Sequence, residues 1–236
     1  DVWRLSVDAK TSQVLSQRNC EATALTSSPK SLTFSNRELA LPFPCIPDAK
    51  DVFSWVPFDE RLNQQTLQIS HLDKGNYSLL INLAEVGQYS AAELEKGVSL
   101  GINPKTPQSA LSQKIAALCQ EHYTLGNTIR TLRRVEMKHL QNVDLTNRAA
   151  VEASLNQLIA EKQAQKNDPG ANSGYYIKTA RIYLQEIAKE PSTRERIQAI
   201  EKEISQINQP KTYTYSLKPT LVTTSFHAQG EFAGEP

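Results

Sequence analysis

Nucleophilic hydrolysis needs a serine or cysteine beside an oriented base, and histidine is the usual base because its pKa lies near neutrality. The chain offers four histidines. His71 closes a predicted strand beside Asp73, and no nucleophile in a strained turn lies near it. His122 falls on the apolar stripe of a predicted helix, where an edge position satisfied by one hydrogen bond accounts for it. His139 follows Lys138 at a predicted helix end, where a cation complements the dipole. His227 sits in a tail, a poor place for a preorganised site. The expectation is therefore a chain without a catalytic residue, without a cofactor site and without a metal site.

The missing motifs agree. GxSxG, a Walker loop, GxGxxG and HExxH are all absent. Cys20 and Cys45 fall in the strand-rich first part and either pair in an oxidising compartment or stay apart. Cys119 reads as a small buried apolar residue of a helix, and no cysteine spacing suits structural zinc. Carboxylates such as Glu93, Glu152, Glu186 and Glu201 fall on polar helix faces near Lys or Arg, which a solvated face explains. Arg130, Arg133, Arg134 and Lys138 form the densest charge cluster, suited to an anion or, more simply, to pairing with Glu136. Trp3, Trp55, Tyr175 and Tyr176 are candidates for stacking on sugar, but with no spacing rule among them packing is the simpler role.

Lys+Arg 26 against Asp+Glu 25 leaves a net charge of +1, so no global field draws in nucleic acid. No apolar run approaches the roughly 18 to 20 residues of a membrane helix. The one methionine is Met137, and residues 1–25 lack a signal-peptide pattern, so the expectation is that an upstream piece has been removed.

Short alternating runs dominate the first hundred residues: Val2–Val7, Gln13–Gln17, Ser31–Phe34, Thr66–Leu72, Tyr77–Ile81 and Val86–Tyr89. They predict an antiparallel β-sandwich over residues 1–103, with the prolines from Pro42 to Pro57 marking a loop-rich crossover. Asp73–Asn76 reads as the turn of a hairpin between Thr66–Leu72 and Tyr77–Ile81. Ser90 and Glu93 have capping-box spacing for a short helix that Gly97 stops with a left-handed residue. From Leu111 to Leu132 apolar residues recur at alternating spacings of four and three on a helix ending near Leu140. Three more helices follow, around Val151–Ile159, around Tyr176–Ile187 with Pro191 as its stop, and around Ile197–Ile207 with Ser192 or Thr193 as its cap. Residues 104–210 are thus a helical bundle or antiparallel coiled coil, with Asn167–Gly174 an exposed loop. Thr212–Leu217 reads as a strand returning to the sheet, and 211–236 as that strand with an extended tail. The fold class is α+β.

Three stretches carry a family resemblance: His71-Leu-Asp-Lys-Gly-Asn-Tyr-Ser-Leu-Leu-Ile-Asn82, Glu85 through Val98, and Asn103-Pro-Lys-Thr-Pro107. With Asn208 to Tyr215 they resemble the C-terminal portion of bacterial SGNH (GDSL-type) esterases. Asn82-Leu-Ala84 departs from that pattern where a glycine turn is expected, as does Ser99-Leu-Gly101. In that family the nucleophilic serine and the DxxH acid and base belong to an α/β domain that precedes the matched region. The resemblance implies a non-catalytic accessory domain of a secreted or periplasmic esterase acting on acylated carbohydrate. Its expected partner is an upstream catalytic domain or a separate catalytic subunit. The alternative is an assembly subunit that self-associates through its helices, as a homo-oligomer.

Overall fold

The computed structural model describes residues 1–28, 31–44, 55–165 and 172–220. They divide into two compact units, one of residues 1–113 with the segment returning from Pro210, the other Lys114–Gln209. The architecture is α+β, as the sequence predicts.

In the first unit, β1 (Trp3–Asp8), β2 (Gln13–Arg18), β5 (Gln65–Ser70) and β8 (Val98–Ser99) form a sheet in the order β2-β1-β5-β8. The second sheet, in the order β3-β4-β9-β6-β7, contains β3 (Cys20–Ser28), β4 (Ser31–Glu38), β9 (Lys211–Pro219), β6 (Asn76–Ile81) and β7 (Ala84–Ser90). Period-two alternation sends Trp3, Leu5 and Val7 of one sheet and Leu32, Phe34, Tyr215 and Leu217 of the other into one core. Phe34 stacks on Tyr215 with ring centroids 5.1 Å apart, and Trp3 meets Tyr215 edge-on at 6.2 Å across the sheets.

Two strand expectations fail here. β5 and β6 are not a hairpin: β5 pairs with β1 and β8, whereas β6 pairs with β7 and β9. An arch that carries the chain from one sheet to the facing one leaves the same inward alternation as a hairpin, so Leu67 and Ile69 fill the core from one side and Leu79 and Ile81 from the other. Nor is the sandwich wholly antiparallel, since β1 and β5 run parallel. Apolar alternation gives no signal for β3, because Cys20–Ser28 is polar and mostly exposed.

The predicted capping box is present. Ser90 Oγ accepts from Glu93 N at 3.2 Å, Glu93 Oε2 accepts from Ser90 N at 2.8 Å, and α2 (Ala91–Lys96), which follows the four-residue α1 (Phe58–Arg61), ends at Gly97. That glycine has the positive φ expected, +96°, with ψ +131°, well away from the αL helix value. Between β6 and β7, Asn82 (φ +49°) and Leu83 (φ +72°) make a two-residue turn without glycine, which explains the departure at 82–84. Asn82 Oδ1 accepts from Thr214 N at 2.9 Å, which fixes the asparagine, but Leu83 is 81% exposed and gains nothing. Leu83→Gly is expected to raise the unfolding free energy by about 1 kcal/mol, read as a higher urea midpoint at unchanged slope.

The helical unit begins within α3 (Pro107–His139), whose length matches the apolar stripe. Thr106 caps it, its Oγ1 accepting from Ser109 N at 3.2 Å, with Pro107 in the first turn where a missing donor costs nothing. α4 (Arg148–Ala164), α5 (Ser173–Glu186) and α6 (Glu190–Ile207) follow. Leu132 and Val135 of α3, Leu140 just after it, Val151 and Leu155 of α4, and Ala180 and Tyr183 of α5 form one core. The ion pairs Lys114–Glu203, Glu121–Arg196 and Arg133–Glu190 descend along α6 as they ascend along α3, so the two helices are antiparallel. Pro191 opens α6 and does not stop its predecessor, because a 3₁₀ turn at Ile187–Lys189 carries the chain across. Neither Ser192 nor Thr193 caps α6 by a side-chain bond. α5 starts at Ser173, so the expected loop 167–174 is helical at its last two residues; 167–171 lie outside the described residues.

Candidate functional site

Among the described residues, the densest polar constellation is buried at one end of the sandwich. Inward alternation on β4 places Asn36 and Glu38 there, β9 adds Tyr213 and Tyr215, β1 adds Trp3, β5 adds Gln65, and the first turn of α3 adds Gln108. The Tyr215 hydroxyl donates to Glu38 Oε1 at 2.5 Å, and Gln108 Nε2 donates to the same oxygen at 2.6 Å and to the tyrosine oxygen at 2.9 Å. Gln65 Nε2 donates to Glu38 Oε2 at 3.3 Å. Trp3 and Asn36 also favour the carboxylate electrostatically, yet Trp3 Nε1 and the Asn36 amide complete no hydrogen bond.

Among the described residues no cation is paired with this carboxylate. Burial pushes the Glu38 carboxyl up to about 7, against the donors from Tyr215 and Gln108 that pull it down. Burial and the neighbouring Glu38 likewise drive the Tyr215 hydroxyl far above its usual range. Glu38 is only 3% exposed, so the arrangement can hold or release a proton but cannot touch a substrate. Sequence reasoning misses it because Glu38 and Tyr215 are 177 residues apart.

His71 does find an acid, though not Asp73. It follows β5 with φ +59°, and its Nδ1 lies 3.0 Å from Asp8 Oδ2. Asp8 Oδ1 accepts from the backbone of Lys10 at 2.8 Å and of Thr11 at 3.1 Å. Partial burial opposes ionisation of Asp8, but those bonds and His71 prevail and hold its carboxyl below the usual range. An acid–imidazole pair is thus in place, and among the described residues no hydroxyl or thiol is hydrogen-bonded to His71.

In the helical unit His122 occupies a helix edge with one partner, its Nε2 lying 3.0 Å from Glu201 Oε1. Cys119, one turn earlier, is exposed and not buried as expected, because the stripe turns it outward between Leu118 and His122. It lines one open groove with His122, Glu201, Ile204 and Ser205. No hydrogen bond joins its sulfur to the imidazole among the described residues, so these groups share a groove without forming a nucleophile–base pair. Among the described residues no cluster of His, Cys, Asp or Glu suits a metal ion.

The remaining candidates are placed as follows. Cys20 is buried, and its thiol donates to the Arg4 carbonyl oxygen at 3.3 Å; burial pushes it up to about 11. Cys45 and His227 lie outside the described residues. Trp3 is core, whereas Trp55 is 81% exposed. Arg133 bridges Glu136 and Glu190, and Arg194 joins Glu190 at 2.7 Å. His139 is no dipole-complementing cation, since burial together with Lys138 and Lys162 lowers its pKa and favours the neutral ring.

No family profile and no curated protein matches the chain. A solved structure described as BT4096, a gut microbial diltiazem-metabolizing enzyme, is similar over 93% of this chain, with a TM-score of 0.74 and 23% identity. This chain spans half of that protein's length, 50%. At that identity the likeness shows a shared α+β fold. No helix among the described residues is long and apolar enough to cross a membrane.

Proposed function

We propose that this chain is a non-catalytic accessory unit of a secreted or periplasmic SGNH-type esterase, packing beside the ester-hydrolysing domain and assisting it on acylated carbohydrate. The observation that carries the reading is the match of nearly the whole chain to half of an enzyme, leaving the other 50% of that enzyme without a counterpart here. The sequence resemblance over 71–107 supports it. So does the burial of Glu38, whose carboxyl is sealed from solvent.

The test is turnover of p-nitrophenyl acetate by residues 1–236 alone and by His71→Ala. The expected result is no difference between them and no rate above the imidazole background. Turnover that His71→Ala abolishes would overturn the reading. The intact mass of the protein from its native source should exceed the 26.3 kDa of this chain or reveal a tightly held second chain.

A second reading, self-assembly, has one observation in its favour. Ile115, Leu125 and Ile129 of α3 and Ile197 and Ile204 of α6 are only partly buried along an antiparallel seam. Sedimentation that rises with concentration to a homo-oligomer, and falls back to a monomer in Leu125→Glu, would favour that reading over the first.

A further inference from the structure

Six lysines and arginines of the helical unit pair with carboxylates through long-range or one-turn contacts, at Lys114, Arg133, Arg148, Lys189, Arg194 and Arg196. The row Arg130, Arg134, Lys138 on α3 and Lys162 on α4 is different: none of them has a carboxylate at ion-pair distance among the described residues. Residues four apart share a helix face, so this row extends along about 12 Å of α3. Among the described residues, the acids beside it in sequence, Glu136 and Glu161, have other partners. Glu136 takes Arg133 and the Tyr183 hydroxyl, and Glu161 accepts from Gln157 on its own helix.

Aromatic rings stand among these cations. Arg134 donates to the Tyr175 hydroxyl, which fixes a ring that is 42% exposed. Tyr175 meets Tyr176 at 5.5 Å with the planes 75° apart, Tyr176 meets His139 edge-on at 5.3 Å, and the Lys162 ammonium lies 5.4 Å from the Tyr176 centroid. Two features that the sequence suggests separately, a basic cluster and a tyrosine pair, are therefore one surface.

We propose that Arg134, Lys138 and His139 of α3, Lys162 of α4 and Tyr175 and Tyr176 of α5 bind an acidic oligosaccharide. The unpaired cations supply charge for carboxylate or sulfate groups, and Arg134 supplies a planar donor fork for either. A held, exposed tyrosine ring supplies an apolar face for a sugar ring at small entropic cost. A row of cations suits repeated charges better than a single anion, and a chain of net charge +1 lacks the general field that nucleic acid binding uses. His139 is faced by Lys138 on its own helix, Lys162 from α4 and Tyr176 from α5, so its ring takes a proton only in acid, where binding should tighten further.

The inference does not rest on the esterase reading, because it is tested on this chain alone. Calorimetric titration uses a sulfated heparin hexasaccharide, a hexagalacturonate, neutral maltohexaose and a single-stranded DNA hexamer. At least one acidic hexasaccharide is expected to bind and the neutral one not; which of the two binds identifies the anionic group. The Arg134→Ser/Lys138→Ser double variant should lose affinity by about tenfold or more, and Tyr175→Ala by about fivefold or more, both with thermal midpoints unchanged. Lys162→Gln, on α4, removes the ammonium over the Tyr176 ring and should weaken binding in the same direction. Binding of neither acidic sugar, DNA binding as tight as the sugar, or full affinity in Tyr175→Ala would each overturn the proposal.

Discussion

At pH 8, Glu38→Gln should unfold at higher denaturant than the parent chain, by about 3 kcal/mol, and the advantage should vanish near pH 4. The sign follows from proton binding. In the folded chain the carboxyl titrates at about 7, against 4.5 for the unconstrained group. Between those values the folded state holds a proton that the unfolded state has released, so the contribution of Glu38 is fully present below 4.5 and is lost as pH rises through 7. Glutamine stays neutral throughout and carries no such loss.

The hydrogen bonds tolerate the exchange. The new carbonyl oxygen can accept from the Tyr215 hydroxyl and Gln108 Nε2 as Glu38 Oε1 does, at 2.5 and 2.6 Å in the parent. The new amide group faces Gln65, whose Oε1 is buried without a partner and becomes an acceptor when that amide turns over. Glu38→Ala is the control: it strands the Tyr215 and Gln108 donors and opens a void, so it should destabilise at every pH. The measurement is the difference between parent and Glu38→Gln unfolding free energies from pH 4 to 9. That difference removes the opposite slope from carboxylates whose pKa is lowered, such as Asp8 and Glu190. A pH-independent difference would show that the Glu38 carboxylate is not carried uncompensated in the fold.

Local signals are readable in this sequence and long-range pairings are not. Ser90 and Glu93 specify a helix start through bonds three residues long, and the α3 stripe fixes a helix end to within a residue, because both depend on neighbours in sequence. The β5–β6 arch looks like a hairpin in sequence because alternation reports which face is buried and not which strand lies alongside. Asp8–His71 and Glu38–Tyr215, separated by 63 and 177 residues, leave no local trace at all. Exposure of Cys119 is hidden for a subtler reason: beside a stripe of period 3.5, a residue one place after Leu118 is turned about 100° away, and hydrophobic character alone does not reveal that.

Alanine in place of glycine should have opposite effects at Gly101 and Gly126. A Cβ at Gly101 would stand 1.9 Å from the Asn63 carbonyl oxygen and 2.7 Å from Asp59 Oδ1. Neither side can yield freely. The Asn63 side chain accepts from Phe43 N at 2.7 Å and donates to the Gly101 carbonyl at 2.9 Å, while Leu100 N donates to the Gln65 carbonyl at 2.8 Å. Gly101→Ala must therefore pull this junction apart beside the Gln65–Glu38 contact, at a cost of about 3 kcal/mol or more. At Gly126, inside α3, an added methyl would meet nothing within 4 Å, and alanine there is expected to add about 1 kcal/mol by restricting the unfolded chain. Urea unfolding of both variants gives the two signs in one experiment. Equal and small effects would mean that the backbone at 99–102 is not held against Asn63, and the departure at Ser99-Leu-Gly101 would then have no steric cause.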